Sequence, residues 1–351
     1  MNETRKLGTT RGRIILFTIL GLLTLLLFFI DIAIGSVSIP VHEVFSTLFN
    51  STGITDTNWI IIHDYRLPKA LTALLAGAAL SVSGLQMQTV FRNPLAGPYV
   101  LGISAGASLG VALLILGMPW LKISLSNIFL SNISTVLAAF IGAGAFLFII
   151  LSVSARIKDV MTILILGILL GSGVSAIVNI LQFFSNQSLL KSYVLWTMGD
   201  LSNVTIQQLN IMIPVVLFGL ITSILSIKML NAFLLGEEYA KTMGMNIMLA
   251  RFILFVSTSL LAGTVTAFCG PIGFIGIAVP HLSRIIFGTA HHGVMVPGTI
   301  LTGAIFLLTS DIISHLPGSE AVLPVNAITS LLGIPVIIWI IFRNLKFSSM
   351  V

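Results

Sequence analysis

The dominant pattern along the chain is a series of long apolar runs separated by short polar breaks. A window of about 19 residues separates ten of them, at 14–34, 63–90, 98–117, 128–153, 160–184, 207–230, 246–268, 272–288, 295–315 and 323–342. A helix needs about 20 apolar residues to cross the hydrocarbon core of a bilayer. The spacing therefore predicts an all-α polytopic membrane protein of about ten transmembrane helices. The eighth run is bracketed by Pro271 and Pro280, and a broken or re-entrant segment fits there as well. The longest polar connections, 35–62, 185–206 and 231–245, leave no separate soluble domain, so residues 1–351 are expected to form one membrane domain.

Composition agrees with that reading. Of 351 residues, 56% are hydrophobic and 8% charged, against about 25% charged in a soluble domain. So few charges cannot coat a water-facing surface, and the lipid bilayer is the solvent that suits the chain. The net charge of +6 is not a nucleic-acid signal, because the basic residues sit between helix ends. With the N-terminus inside and the runs alternating, only Arg66, Lys69, Lys122 and Lys191 of the 17 Lys and Arg fall outside, leaving thirteen inside. That asymmetry predicts both termini on the cytoplasmic side. Arg5, Lys6, Arg11 and Arg13 precede an apolar run from Ile14 to Ile30 that is too long for a secretory signal. No small-residue cleavage site follows before Asp31, so the run is expected to be retained as the first helix. The single Cys269 excludes an intrachain disulfide and a cysteine metal cluster, and reads as a small packing residue.

Chemistry enters through what the runs contain and lack. Gly102, Gly106 and Gly110 repeat at a spacing that lets helix backbones approach closely. No strand precedes them to make a nucleotide fingerprint. Residues 231–245 are too polar to span. Leu234, Leu235, Ala240 and Met243 leave apolar faces beside Glu237, Glu238 and Lys241, which predicts one or two short amphipathic helices on the cytoplasmic surface. There is no G-x-x-x-x-G-K-[ST] loop to cradle ATP phosphates and no H-E-x-x-H zinc motif. Every Asp and Glu falls near a predicted helix end or in a loop, whereas ion-coupled carriers usually hold a carboxylate or broken-helix site near the midplane. The amides Gln86, Gln88, Asn179, Gln182 and Asn326 either join helices by hydrogen bonds or line a wide, weakly polar channel. None of the six histidines is expected to lie deep, so haem ligation between helices is not expected. The adjacent His291 and His292 read as a surface feature, and no metal site is expected.

Several longer motifs then resemble one family. Arg66-Leu-Pro-Lys69, Gly77-Ala-Ala-Leu80, Ser83-Gly84, Gln88, Arg92-Asn-Pro-Leu-Ala96, Pro98 and Leu101-Gly-Ile-Ser-Ala-Gly-Ala107 form the first block. Leu235-Gly-Glu-Glu-Tyr-Ala240 with Met243-Gly244 forms the second, and Gly270-Pro-Ile-Gly-Phe-Ile-Gly276 with Val279-Pro-His-Leu-Ser-Arg284 the third. Leu323-Pro-Val325, Leu332-Gly333 and Pro335 complete the pattern. From about residue 12 to its end the chain resembles the permease subunits of iron-siderophore, haem and cobalamin ABC importers, known as the FecCD type.

The resemblance implies the type II importer architecture, in which ten helices pair with a second copy or close homologue around a channel on the two-fold axis. It implies two cytoplasmic ATPase subunits, which use ATP and Mg²⁺, and a periplasmic or lipid-anchored binding protein. No cofactor is expected on this chain, no nucleic-acid partner, and no enzymatic step on the cargo. The implied location is the bacterial inner membrane. By family position Leu234, Gly236, Glu237, Glu238, Ala240, Met243 and Gly244 dock the ATPase. Arg66 and Lys69 take the outer positions that grip the binding protein, and His315 stands where the family places a third basic residue. Val160 and Met161 align with the inner constriction, where apolar side chains would close a channel by excluding water. The implied cargo is an iron chelate, ferric siderophore first, then haem and cobalamin. An ion-coupled secondary transporter of a small solute is the main alternative, and a structural or receptor membrane protein the other.

Overall fold

The structure, a computed structural model, describes residues 10–35, 37, 39–49, 57–117, 132–157, 159–315 and 322–348. The predicted positions of Arg5, Lys6, Lys122 and Lys158, and the start of the fourth apolar run at 128, fall outside these residues.

The described chain is almost entirely helical. In order the helices are α1 (Thr10–Ala33), α2 (Val41–Phe49), α3 (Thr57–Val90), α4 (Ile103–Gly117), α5 (Asn132–Ser154), α6 (Val160–Phe183) and α7 (Gln187–Thr197). They continue with α8 (Ile206–Leu225), α9 (Ile227–Leu235), α10 (Glu237–Thr242), α11 (Ile247–Cys269), α12 (Ile275–Phe287), α13 (His292–Ser314) and α14 (Val325–Ser348). Among the described residues, α1, α3, α5, α6, α8, α11 and α13 are long and apolar enough to cross a membrane. The apolar helices Ile103–Gly117 and Ile275–Phe287 are shorter. Each predicted run thus holds a helix, and two of these, α4 and α12, are shorter than a full crossing.

Local chemistry sets the boundaries. Asp159 caps α6 by accepting hydrogen bonds from the backbone N–H groups of Met161 and Thr162. Asn186 and Asn246 do the same for α7 and α11. The sixth run ends sooner than its hydropathy predicts. Thr222, Ser223 and Ser226 each donate to a carbonyl four residues back, and such bonds compete with the regular ladder. The backbone breaks at Ser226, and α9 begins at Ile227. The second run starts earlier than predicted, at Thr57, through a wide π turn over Ile61–Arg66. Pro280 does not break the eighth run: α12 is one helix with the proline inside it. The connections 35–62 and 185–206 contain α2 and α7.

The chain divides into two compact units that alternate along the sequence. The first comprises the described parts of 1–82, 201–213 and 273–351, the second those of 83–200 and 214–272. In the first, α13 packs on α1, α12 and α14. Its neighbour within the unit is the early part of α3, where Gly77 faces Gly303 backbone to backbone and Ser81 Oγ donates to the Thr299 carbonyl at 2.9 Å. In the second, α5 packs on α4 and α11, and α6 packs on α4.

Glycine makes the α4–α5 contact possible. A Cβ at Gly106 would lie 2.5 Å from the Gly142 carbonyl oxygen, and one at Gly110 would strike the carbonyl of Ala138. The predicted small-residue stripe is therefore a backbone-to-backbone seam. Gly102 adds a second requirement, with φ of 70° at the start of α4. Cys269 closes α11, buried, and its carbonyl accepts the Asp200 N–H at 2.8 Å.

Candidate docking and coupling sites

The polar segment 231–245, whose pattern predicts one or two short helices, holds the end of α9 and all of α10. The break between them is Gly236, whose φ of 105° is open to glycine and costly for other residues. Phe233 and Ala240 turn inward and are buried, as is Gly236 itself. Leu234, Leu235, Glu238, Tyr239, Lys241, Met243 and Gly244 face outward, Met243 with 64% of its surface exposed. The result is an exposed stretch in which Leu234, Leu235, Tyr239 and Met243 flank Glu238 along the chain. Glu237 is only partly exposed. Its carboxylate turns back onto the buried Arg251 of α11, with Oε1 accepting from Nε at 3.0 Å and both oxygens accepting from Nη2 at 2.6 Å. Of the two glutamates expected on the docking surface, Glu237 thus has a partner inside the chain and Glu238 is exposed.

The expected outer-face basic residues are likewise spent inside, within the first unit. Arg66 is only 5% exposed. Its guanidinium donates to the carbonyls of Ile32 (3.1 Å), Ala33 (2.8 Å) and Val37, closing the C-terminal end of α1. A cation there complements the helix dipole. Lys69, 4% exposed, places Nζ 2.8 Å from Asp311 Oδ2 and 3.7 Å from Asp31 Oδ1. His315 joins the same group, with Nε2 3.4 Å from Lys69 Nζ. Desolvated charges must be paired, and these residues hold α1, α3 and α13 together. Asp31 and Asp311 were not singled out from the sequence. Both lie within a turn of a helix end, as predicted, yet both are buried.

Other expectations divide in the same way. Val160 and Met161 form the first turn of α6, and Met161 is 45% exposed. No constriction forms around them among the described residues of one chain. Gln86 takes the packing role: Nε2 donates to Ser223 Oγ (2.9 Å) and Ser257 Oγ (3.1 Å), and Oε1 accepts from Thr258 Oγ1 (2.7 Å). Asn326 accepts the Gly273 N–H at 2.9 Å, while Asn179 is exposed. Of the adjacent pair that reads as a surface feature, His291 is exposed but His292 is buried, as is His281. His292 begins α13, and the helix pattern before it gave no sign of that burial.

Comparison with known proteins gives this geometry its setting. The FecCD transport family matches residues 23–343. The chain is 38% identical to the hemin transport system permease protein HmuU of Yersinia pestis, over 95% of this chain and 98% of that one. It is 37% identical to the vitamin B12 import system permease protein BtuC of Klebsiella pneumoniae, over 81% and 83%. An ABC transporter permease protein of Bacillus subtilis, YvrB, matches at 34% over 90% of each chain. Among solved structures, one described as an inward-facing conformation of a metal-chelate type ABC transporter superposes with a TM-score of 0.79 at 29% identity, covering 94% of this chain and 99% of that one. The helices, the short paired elements at 227–242 and the motifs that flank them thus occur together from one end of the match to the other, and the chain belongs to the FecCD transport family of ABC importer permeases.

Proposed function

We propose that this multi-pass permease subunit carries an iron chelate from a binding protein into the cytoplasm. Ferric siderophore is the first cargo, with haem and cobalamin the other members of the same class of bulky metal complexes. The end-to-end match to a hemin permease supports an iron chelate over a small free ion. Two copies, or this chain and a close homologue, enclose the channel. The exposed apolar faces of α6 and α14 are available for that pairing and for lipid. Both termini lie in the cytoplasm, as the thirteen-to-four distribution of basic residues favours.

The observation that carries the mechanism is the exposure of α9 and α10, where Leu235, Tyr239 and Met243 are exposed together with Glu238. Such a surface suits a protein partner better than solvent, and the partner of this reading is the ATPase. The ATPase binds ATP and Mg²⁺; the permease holds no cofactor and breaks no bond in its cargo. Loaded binding protein meets the outer side of the membrane, the side on which this reading puts Arg66, Lys69 and His315, and there these residues hold the ends of α1, α3 and α13 in register. Val160 and Met161 close the channel only when a second copy brings their counterparts alongside.

Purified permease should hydrolyse no ATP alone and should gain hydrolysis with its ATPase. Robust activity without that partner would overturn the reading. Mass spectrometry of ligand held by the partner binding protein decides the cargo, and a bare ion or an amino acid there would remove the chelate.

A further inference from the structure

Glu237 and Arg251 form a bidentate ion pair at the root of the docking helix, and no role assigned so far requires it. Arg251 is 4% exposed, and a planar guanidinium gripping both carboxylate oxygens fixes orientation as well as distance. On the other side of the same break, the Arg92 guanidinium lies 3.4 Å from where a Cβ of Gly236 would stand. The first residues of α10 are therefore held between two arginines, one of them on α11.

What α11 does with that connection follows from its spacing. Arg251, Phe255, Thr258, Ala262 and Thr266 recur at three- and four-residue intervals and share one face of the helix. All are buried. Phe255 stacks on Phe91, just past α3, at 5.9 Å between ring centroids. Thr258 donates to Gln86 on α3 at 2.7 Å. Thr266 Oγ1 pairs with Ser104 Oγ on α4 at 3.3 Å. The stripe that begins at the docking helix therefore runs up α11 and touches α3 and α4 in turn, all within one compact unit.

We propose that Arg251 is the positioning residue through which movement of α10 reaches α11, so that it couples ATP hydrolysis to the state of the transport helices. This rests on the docking surface proposed above. A carboxylate held by two hydrogen-bonded oxygens transmits rotation as well as translation, which a single apolar contact does not. Lysine at the same position would keep the charge but offer only a point contact.

The test uses the whole importer in lipid nanodiscs: permease, ATPase and binding protein. Stimulation of ATP hydrolysis by the binding protein is the readout, since that signal must cross the permease and needs no assumption about cargo. With Arg251→Gln, the ATPase should still co-purify and stimulation should fall by about five- to tenfold, as expected for loss of a coupling interaction. Arg251→Lys should be intermediate. The double variant Glu237→Gln/Arg251→Gln carries no unpaired charge, and its stimulation should be as low as that of Arg251→Gln. Full stimulation in Arg251→Gln or in the double variant overturns the proposal. Loss of co-purification in the double variant also overturns it, since the ion pair would then maintain the docking surface itself. Glu238→Lys separates the two readings: if the ATPase binds that variant at low salt as tightly as it binds the wild type, the docking surface is wrong, whatever Arg251 does.

Discussion

Lys69 Nζ sits 2.8 Å from Asp311 Oδ2, with both side chains buried. This contact joins α3 to α13, and Asp31 at 3.7 Å brings in α1. A lysine expected to face a partner across water instead lies between two buried acidic side chains. Breaking a buried ion pair from one side commonly costs about 3–5 kcal/mol, because an uncompensated charge remains. Lys69→Met should therefore lower the thermal unfolding midpoint sharply in detergent. Lys69→Met combined with Asp31→Asn and Asp311→Leu should recover much of the loss. An unfolding curve for Lys69→Met that overlays the wild type would show that the cluster is solvated.

The α4–α5 seam makes a positional prediction. Gly110→Leu forces a side chain into the Ala138 carbonyl, and overpacking of this kind costs about 1–3 kcal/mol or more. Gly144 on the same α5 has nothing within 4 Å of an added Cβ, so Gly144→Ala should leave stability near wild type. Unfolding titrations in mixed micelles measure both, and equal losses would argue against the seam.

Gln86 is a smaller case. Interhelical hydrogen bonds in membranes average about 0.6 kcal/mol each, and Gln86 makes three to side chains on α8 and α11. Gln86→Met should cost about 1–2 kcal/mol in unfolding free energy without abolishing expression. A change in transport with no change in stability would instead place the amide on the channel.

Glu238 stands on the exposed surface of α10, so charge reversal there should weaken ATPase binding most at low ionic strength. Surface plasmon resonance at two salt concentrations reads this directly. Affinity that is the same for Glu238→Lys and wild type at low salt would remove Glu238 from the interface.

The cap of α6 gives a pH dependence. The Thr162 hydroxyl (2.5 Å), the Thr162 N–H (2.9 Å) and the Met161 N–H (3.2 Å) hold the Asp159 carboxyl below its ordinary value of 3.8. A carboxylate whose folded value is depressed adds stability above its unfolded value, and that contribution is lost as pH falls through the folded one. Asp159→Ala should therefore lower the melting temperature at neutral pH, and the gap should narrow below pH 3.8. A gap that is constant across that range would mean the cap works without its charge.

Much of this fold was legible because membrane helices announce themselves by length. The ten apolar runs each hold a helix, and the four-residue glycine spacing is the α4–α5 seam. The amphipathic segment at 231–245 is a pair of short helices broken at the glycine its sequence contains. What the sequence hid was the direction of charge. Arg66, Lys69 and Glu237 stand beside residues that read as exposed, and each turns inward to a partner distant in sequence: Ile32 and Ala33, Asp311, and Arg251. Asp31 and Asp311 are 280 positions apart by number, so no local pattern brings them to one lysine. Hydropathy also carried the sixth run past Ser226, because a side-chain hydroxyl that rebonds the backbone has no signature in an averaged window.

The burial of Cys269 has a practical outcome. As the only thiol in the chain, and shielded inside its unit, it should stay silent toward maleimides applied from either side of the bilayer. Single cysteines introduced at Tyr239 or Met161 would then report accessibility against a dark background, and the sidedness of this permease becomes measurable without first stripping the native sequence.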